Sequence, residues 1–278
     1  MTEHGVRLGT VQETLLIPLY GRAVDNRKPD AILRDTRAEE IVASIDYDFA
    51  RFDDLPSLTG AVLRTSLFDR WVADFLAAHP AGTVVEIGAG LNTRYERLDT
   101  GRTRWFDLDL PDVIDLRRSF FTDTPHRTMI TASVADTAWA DTVTSQANGP
   151  YFLAAEAVLP YLAETDVRQV LALLADRFPG TLLALDTAGP GIVTTQDQHD
   201  ALSKVDARMQ WSCTGPDELA EWLPGLTVLA SHTLSSLPRP MHDTLPASLQ
   251  EMLAGLARQR LPQVEEYQLN LVRLPGAS

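Results

Sequence analysis

VVEIGAGLN, residues 84–92, reads as a strand that ends in a glycine turn. Val84, Val85 and Ile87 make a nearly continuous apolar run, the pattern of a strand covered on both faces. Gly88 and Gly90 follow at once. Glycine lets a chain turn sharply and bring its backbone against a ligand. Alone, such a turn suits several nucleotide ligands. A dinucleotide fingerprint expects a third glycine where Thr93 stands, and no Gly-Lys-Ser/Thr phosphate loop follows.

Working outward, TVVEIG (83–88), TRWFDLDL (103–110), RTMITAS (127–133), PYFLAAEA (150–157) and TLLALDT (181–187) read as strands separated by helical segments. The clearest of these helices is Asp166–Phe178, with Val167, Val170, Leu171, Leu174 and Phe178 on one face. This alternation predicts a parallel sheet with helices on both sides. The pattern breaks at AGPGIVTT (188–195), and a helical stretch is expected through Asp206. LTVLASHTL (226–234) and EYQLNLVRL (266–274) alternate in polarity and bracket a proline-rich helical insert, 238–262. They predict an antiparallel pair at the sheet edge. Residues 1–80 read as a helical extension. Thr36-x-x-Glu39 is a capping box opening one helix through Ile41 and Val42. A second helix runs from about Gly60 to His79 and stops at Pro80. The expected division is an extension, 1–80, and a core, 81–278, carrying a lid segment, 188–212, and the insert.

The net charge of -14 argues against nucleic-acid and anionic-membrane partners. Cys213 is the single cysteine, so neither an internal disulfide nor a cysteine metal cluster is expected, and no metal is assigned. MTEHGVRLGTVQETLL lacks the features of a signal peptide. No apolar run approaches the ~20 residues of a bilayer span. A cytoplasmic location is expected, with a homo-oligomer left open.

The acids narrow the ligand. Glu86 stands two residues before Gly88. Asp109 ends the next strand, where a carboxylate faces the ribose of a bound nucleoside. Asp136 follows the third strand and is placed to meet an adenine amino group. S-adenosylmethionine has no pyrophosphate and carries a sulfonium and an ammonium, so an acidic pocket without a phosphate cradle fits it better than NAD. Ala89, Gly90, Leu110, Ser133 and Val134 flank these positions and are further cofactor candidates. Arg64 shares a helical face with Phe68, Trp71 and Phe75. A guanidinium is rarely buried alone, and here it can fork the carboxylate of the methionine moiety. Glu156 ends the fourth strand, beside the transferable methyl, where it can bind the cofactor amino group or orient the acceptor. Tyr161 follows in the same loop as a lining residue of the acceptor pocket.

IDYDF (45–49), LRTSLFDRW (63–71), EIGAGLNTRYERLD (86–99), RWFDLDLPDVIDLRR (104–118), SVADTAW (133–139) and EAVLPYL (156–162) resemble the leucine carboxyl methyltransferase family. The nearer likeness is to its bacterial branch of tetracenomycin-type polyketide O-methyltransferases, which TLLIPLYGRA (14–23) also matches. The resemblance implies a class I S-adenosylmethionine-dependent methyltransferase fold: a Rossmann-like, seven-stranded sheet with its last strand antiparallel. It implies that Arg64 grips the cofactor carboxylate, Gly88 lines the cofactor, Asp109 binds ribose, Asp136 the adenine, and Glu156 the amino end. Arg22 corresponds to a basic residue that closes over the cofactor from the N-terminal segment. Asn92 departs from the branch, which often has aspartate there.

The expected reaction is O-methylation of a small-molecule carboxylate or phenol, such as a polyketide, with S-adenosylhomocysteine as product. The alternatives are a protein C-terminal carboxyl methyltransferase and a cofactor-binding protein without transfer activity. For a carboxylate, Lys204 and Arg208 are candidate anchors. For a phenol, His199 is the candidate base. Trp211 is a candidate stacking surface and Tyr20 a further acceptor contact.

Overall fold

The run at 83–88 is one of seven strands in a single sheet, as seen in a computed structural model that describes residues 4–5 and 12–276. The strands are β1 (Thr83–Ile87), β2 (Arg104–Asp109), β3 (Arg127–Thr131), β4 (Tyr151–Ala155), β5 (Leu182–Ala188), β6 (Thr227–His232) and β7 (Tyr267–Arg273). Their order is β3-β2-β1-β4-β5-β7-β6. The first five pair in parallel, and β7 lies between β5 and β6, antiparallel to both. This is the class I methyltransferase sheet, and all seven strands fall where the sequence patterns put them. The order reverses between β1 and β4, and in open α/β sheets ligands bind at such a switch point, outside the carboxyl ends of the strands.

Successive side chains of a strand face opposite sides of its sheet. Val84 of β1 therefore packs with Trp105 and Phe152 against Leu67, Phe68, Val72 and Phe75 of α3 (Pro56–Ala78). Val85 packs on the other side with Phe106 and Leu153, against Trp139 and Val143 of α6 (Ala138–Gln146) and Val167, Val170 and Leu174 of α7 (Glu164–Arg177). A third cluster joins α1 (Leu16–Asn26) and α2 (Thr36–Val42) to Ile192, Leu202, Val205 and Met209 of the lid segment. Thus α3 covers the sheet, while α1, α2 and the lid share a core of their own. The intervening helices α4 (Arg94–Leu98) and α5 (Pro111–Arg117) follow β1 and β2.

Several boundaries differ from expectation for local reasons. The second helix begins at Pro56, whose fixed φ suits the first helical turn, rather than near Gly60. The first is capped by Asp35, whose carboxylate accepts the Ala38 N–H at 3.0 Å, so Thr36 lies inside it. The stretch after Ala188 is not one helix. It is a short helix, Pro190–Thr195, followed by 3-10 turns at Gln196–Gln198 and Leu202–Lys204. Among the described residues, no helix is long and apolar enough to cross a membrane.

Leu153 is fully buried on the middle strand of the sheet. Leu153→Ala should lower unfolding free energy by about 2–5 kcal/mol, read as an earlier midpoint in urea denaturation.

Candidate active site

At the switch point a cavity of about 400 Å³ opens between the ends of β1, β2 and β4 and the roof formed by α1 and the lid. The glycine turn forms its floor. Gly88 has φ +64° and Gly90 φ +49°, the left-handed region that favours glycine. A Cβ at residue 88 would stand 2.4 Å from Val158 Cγ2, so the position is closed to side chains on steric grounds as well. Asp109 fixes the turn from the next strand. Its Oδ2 accepts the Gly90 N–H at 2.7 Å and its Oδ1 the Leu110 N–H at 2.8 Å. Burial nevertheless pushes its pKa up to about 6.

Behind the turn lies a chain of alternating buried charges. Arg94, on α4, has a fully buried side chain and spreads its three nitrogens over three residues. Nε donates to Asp69 at 2.7 Å, Nη1 to both oxygens of Glu86 at 2.7 and 2.6 Å, and Nη2 to Glu156 at 2.6 Å. Glu156 also accepts from Arg64 Nε at 3.0 Å and Thr65 Oγ1 at 2.7 Å. Burial alone would raise its pKa, but Arg64 and Arg94 hold it down to about 2. It is therefore ionised throughout the physiological range. On one side the chain continues through Asp69 and Arg97 to Asp35, which also binds Arg22 Nε at 2.9 Å. On the other side Arg64 stands 3.9 Å from Asp186, which accepts the Tyr267 hydroxyl at 2.5 Å and the Ala157 N–H at 2.8 Å. Burial lifts Asp186 to about 6.

Most residues expected at the site line the cavity. Arg64, Glu86, Gly88, Ala89 and Gly90 do so, with Asp109 and Leu110 beyond them. Ser133, Val134, Glu156, Tyr161 and His199 line it too, and Arg22 reaches it from α1 while donating to the Leu91 carbonyl at 2.8 Å. Five others are not among its lining residues. Asp136 is exposed and turns back to accept the Ser133 N–H at 3.2 Å, which closes the turn after β3. The Tyr20 hydroxyl bonds to Asp53 and its ring stacks on Phe49. Trp211 is buried in the main core beside Trp222. Arg208 is spent on Asp197 at 2.7 Å and on the carbonyls of Val205 and Ala207. Lys204 ends a 3-10 turn whose carbonyl accepts from Arg51.

His199 lines the cavity and is packed into the lid through its Nδ1. Its Nδ1 lies 3.2 Å from the N–H groups of Ala201 and Leu202 and 3.1 Å from Asp200 Oδ1. Burial also lowers its pKa from 6.5. Sequence reasoning missed Arg94, Asp69, Asp186 and Tyr267.

The sequence matches the model of a family described as leucine carboxyl methyltransferase over residues 16–175. It is 33% identical over 264 residues to the tetracenomycin polyketide synthesis O-methyltransferase TcmP of Streptomyces glaucescens, covering 93% of this chain and 94% of the relative. It is 28% identical to the S-adenosyl-L-methionine-dependent methyltransferase dpfgK of Gibberella zeae, covering 80% of this chain and 81% of that one. Among solved structures, a DUF574 family protein from Streptomyces avermitilis superposes with a TM-score of 0.60 at 14% identity, over 94% of this chain and 97% of the other. Magnesium protoporphyrin IX methyltransferase from Synechocystis PCC 6803, with bound SAH, gives 0.50 at 12% identity, over 87% and 94%. The two structures bear on the fold alone.

Removing Arg94 leaves buried Glu86 without a cation and takes one partner each from Asp69 and Glu156. Arg94→Met should cost about 3–5 kcal/mol in chemical denaturation. Arg94→Lys should recover only part of it, because one ammonium cannot reproduce three divergent N–H directions.

Proposed function

Because the chain belongs to the leucine carboxyl methyltransferase family, and so is an S-adenosylmethionine-dependent methyltransferase, we propose that it makes methyl esters of small-molecule carboxylic acids of the natural-product kind. The cavity fits the methyl donor on several counts. Gly88 and Gly90 allow backbone approach without a phosphate cradle. Asp109 is pinned by two N–H groups and keeps lone pairs for ribose hydroxyls. Ser133 and Val134 flank the base. Arg64 and Glu156, paired at 3.0 Å, match a zwitterion: the amino-acid carboxylate suits Arg64 and the ammonium suits Glu156. When bound, the cofactor supplies a methyl group on a sulfonium, which an ionised acceptor oxygen displaces without any proton transfer.

The choice of a carboxylate rests on one observation: Glu156 and Tyr161, which stand together in the loop after β4, are both in states that take no proton. His199 is engaged through Nδ1 by two N–H groups and by Asp200, and burial lowers its pKa. Glu156 is held by Arg64 and Arg94. Burial pushes the Tyr161 phenol up to about 12, so it stays protonated. A carboxylic acid arrives already ionised, whereas a phenol, with pKa about 10, would need a base. The protein's part is then alignment and exclusion of water, served by Leu15, Ile17, Pro18, Leu202 and Met209 around the cavity. Its position under α1 and the lid suits a small acceptor better than a protein terminus. A cytoplasmic location belongs to the same proposal.

Two outcomes test this reading. Label transferred from methyl-labelled cofactor to a panel of aromatic hydroxy acids should be released by mild alkali, as an ester requires; label that survives alkali is an ether and defeats the carboxylate assignment. Affinity for S-adenosylhomocysteine, measured by calorimetry, should weaken as pH falls from about 7 to 5, since ribose hydroxyls bind the charged form of Asp109, whose pKa is about 6. Asp109→Asn should bind more weakly at pH 7 and lose most of that slope.

A further inference from the structure

Two shielded carboxylates compete for Arg64. Its Nε donates to Glu156 Oε1 at 3.0 Å and stands 3.9 Å from Asp186 Oδ2. Opposite charges this close, away from water, attract strongly. Something must therefore keep Arg64 from closing onto Asp186. The Tyr267 hydroxyl is placed to do so. It donates to the same oxygen, Asp186 Oδ2, at 2.5 Å, and accepts from Arg64 Nη1 at 3.5 Å. The Tyr267 ring lies against the guanidinium, whose Cζ is 6.0 Å from the ring centroid. The Ala157 N–H covers the Asp186 carboxylate as well, at 3.0 Å from Oδ1 and 2.8 Å from Oδ2. Asp186 thus has its donors without Arg64, which leaves Nε to Glu156. Arg64 Nη2 makes no hydrogen bond among the described residues, and Arg64 lines the cavity.

Tyr267 is itself held in place. It opens β7 opposite Ala188 of β5. The residue before it, Glu266, accepts the Gly189 N–H at 2.9 Å through its carbonyl and the Gly191 N–H at 2.7 Å through its carboxylate. The sheet edge and the start of the lid therefore set where the hydroxyl stands. We propose that Tyr267 is a positioning residue: by satisfying Asp186 it keeps Arg64 on Glu156, with the outer nitrogens of Arg64 toward the carboxylate of the methyl donor. This rests on the reading of Arg64 as the group that faces that carboxylate. Without the hydroxyl, Asp186 keeps its charge and has one cation within reach. Arg64 then moves toward Asp186 and away from the cavity. A guanidinium holds a carboxylate through a directional fork, so such a shift costs affinity. Asp186 is in this account a rival for Arg64, and removing its charge should repair the loss of the hydroxyl.

The test measures binding of two probes by calorimetry. One is S-adenosylhomocysteine. The other is decarboxylated S-adenosylhomocysteine, which keeps the ammonium and lacks the carboxylate. Tyr267→Phe should bind S-adenosylhomocysteine about fivefold or more weakly, the scale of one hydrogen bond. Its affinity for the decarboxylated probe should stay at the wild-type value, because Arg64 has no carboxylate to meet there. A general loss of structure would weaken both. The double variant Asp186→Asn/Tyr267→Phe should regain most of the affinity for S-adenosylhomocysteine, since asparagine keeps a carbonyl for the Ala157 N–H and has no charge to draw Arg64. A crystal structure of Tyr267→Phe should place Arg64 Nε within about 3 Å of Asp186. The proposal is overturned if Tyr267→Phe binds S-adenosylhomocysteine like the wild type or if both probes weaken equally. It is also overturned if the double variant binds as weakly as predicted for Tyr267→Phe, an outcome that can be read even where the single variant does not fold. A wild type that binds the two probes equally would remove the reading of Arg64 and this proposal with it. A wild type that prefers the intact probe, beside an unaffected Tyr267→Phe, would remove only the role of Tyr267.

Discussion

The guanidinium of Arg94 is the constraint on which the rest of the site depends. It is buried and bonded to α3 through Asp69, to β1 through Glu86 and to the turn after β4 through Glu156. Those three elements are walls of the cavity. A buried charge is tolerable only when its hydrogen-bonding directions are met, and removing one member leaves the others uncompensated. Arg94 therefore acts less as a source of net stability than as a geometric lock. It allows α3, β1 and the Glu156 turn to meet in one arrangement.

From that lock the network runs both ways along the site. Asp69 shares Arg97 with Asp35, and Asp35 in turn caps α2 and binds Arg22 of α1. The roof is thus tied to the sheet through charge as well as through the apolar cluster of Leu16, Leu19, Ile41 and Leu202. In the other direction Glu156 binds Arg64, which approaches Asp186 at the end of β5 and Tyr267 at the start of β7. The antiparallel strand at the sheet edge therefore contributes to the site. Its first residue donates to a buried carboxylate that otherwise has one cation and the Ala157 N–H.

How much of this was legible depended on whether the signal was periodic. The sheet was, because apolar runs such as Val84–Ile87 and Leu182–Leu185 are bounded by turns and lie in regular alternation with helices. The strand-end positions Glu86, Asp109 and Glu156 were too, because a strand's end fixes where its last residues stand. Arg64 could be read from its place on an apolar helical stripe. Arg94 could not: on a five-residue helix an arginine reads as solvated, and only tertiary packing sets three acids around it. The lid has no repeat, so Lys204, Arg208 and Trp211 gave no indication of which way they face. Asp136 stands outside the cavity lining because of a local effect, a short-range bond from the Ser133 N–H that a sequence pattern does not signal.

The distribution of charge around the cavity follows the chemistry proposed for it. The methyl donor carries fixed charges that do not change sign while it binds, and the side of the cavity built for it is ionic: Arg64 against Glu156, with Asp109 beyond. Strong pairs there set position, and Glu156 is held ionised at any working pH. The acceptor, by contrast, begins charged and ends neutral. A site that gripped it with a guanidinium would hold reactant and release energy only by losing that grip. The opposite wall is instead largely apolar, with Ile17, Pro18, Leu202 and Met209 along it. Low-polarity surroundings also leave a carboxylate poorly solvated, which favours the step that removes its charge. The same fold can therefore keep one wall rigidly ionic and the other nearly neutral, because the first is built on strand ends and α3 while the second is made by α1 and the lid.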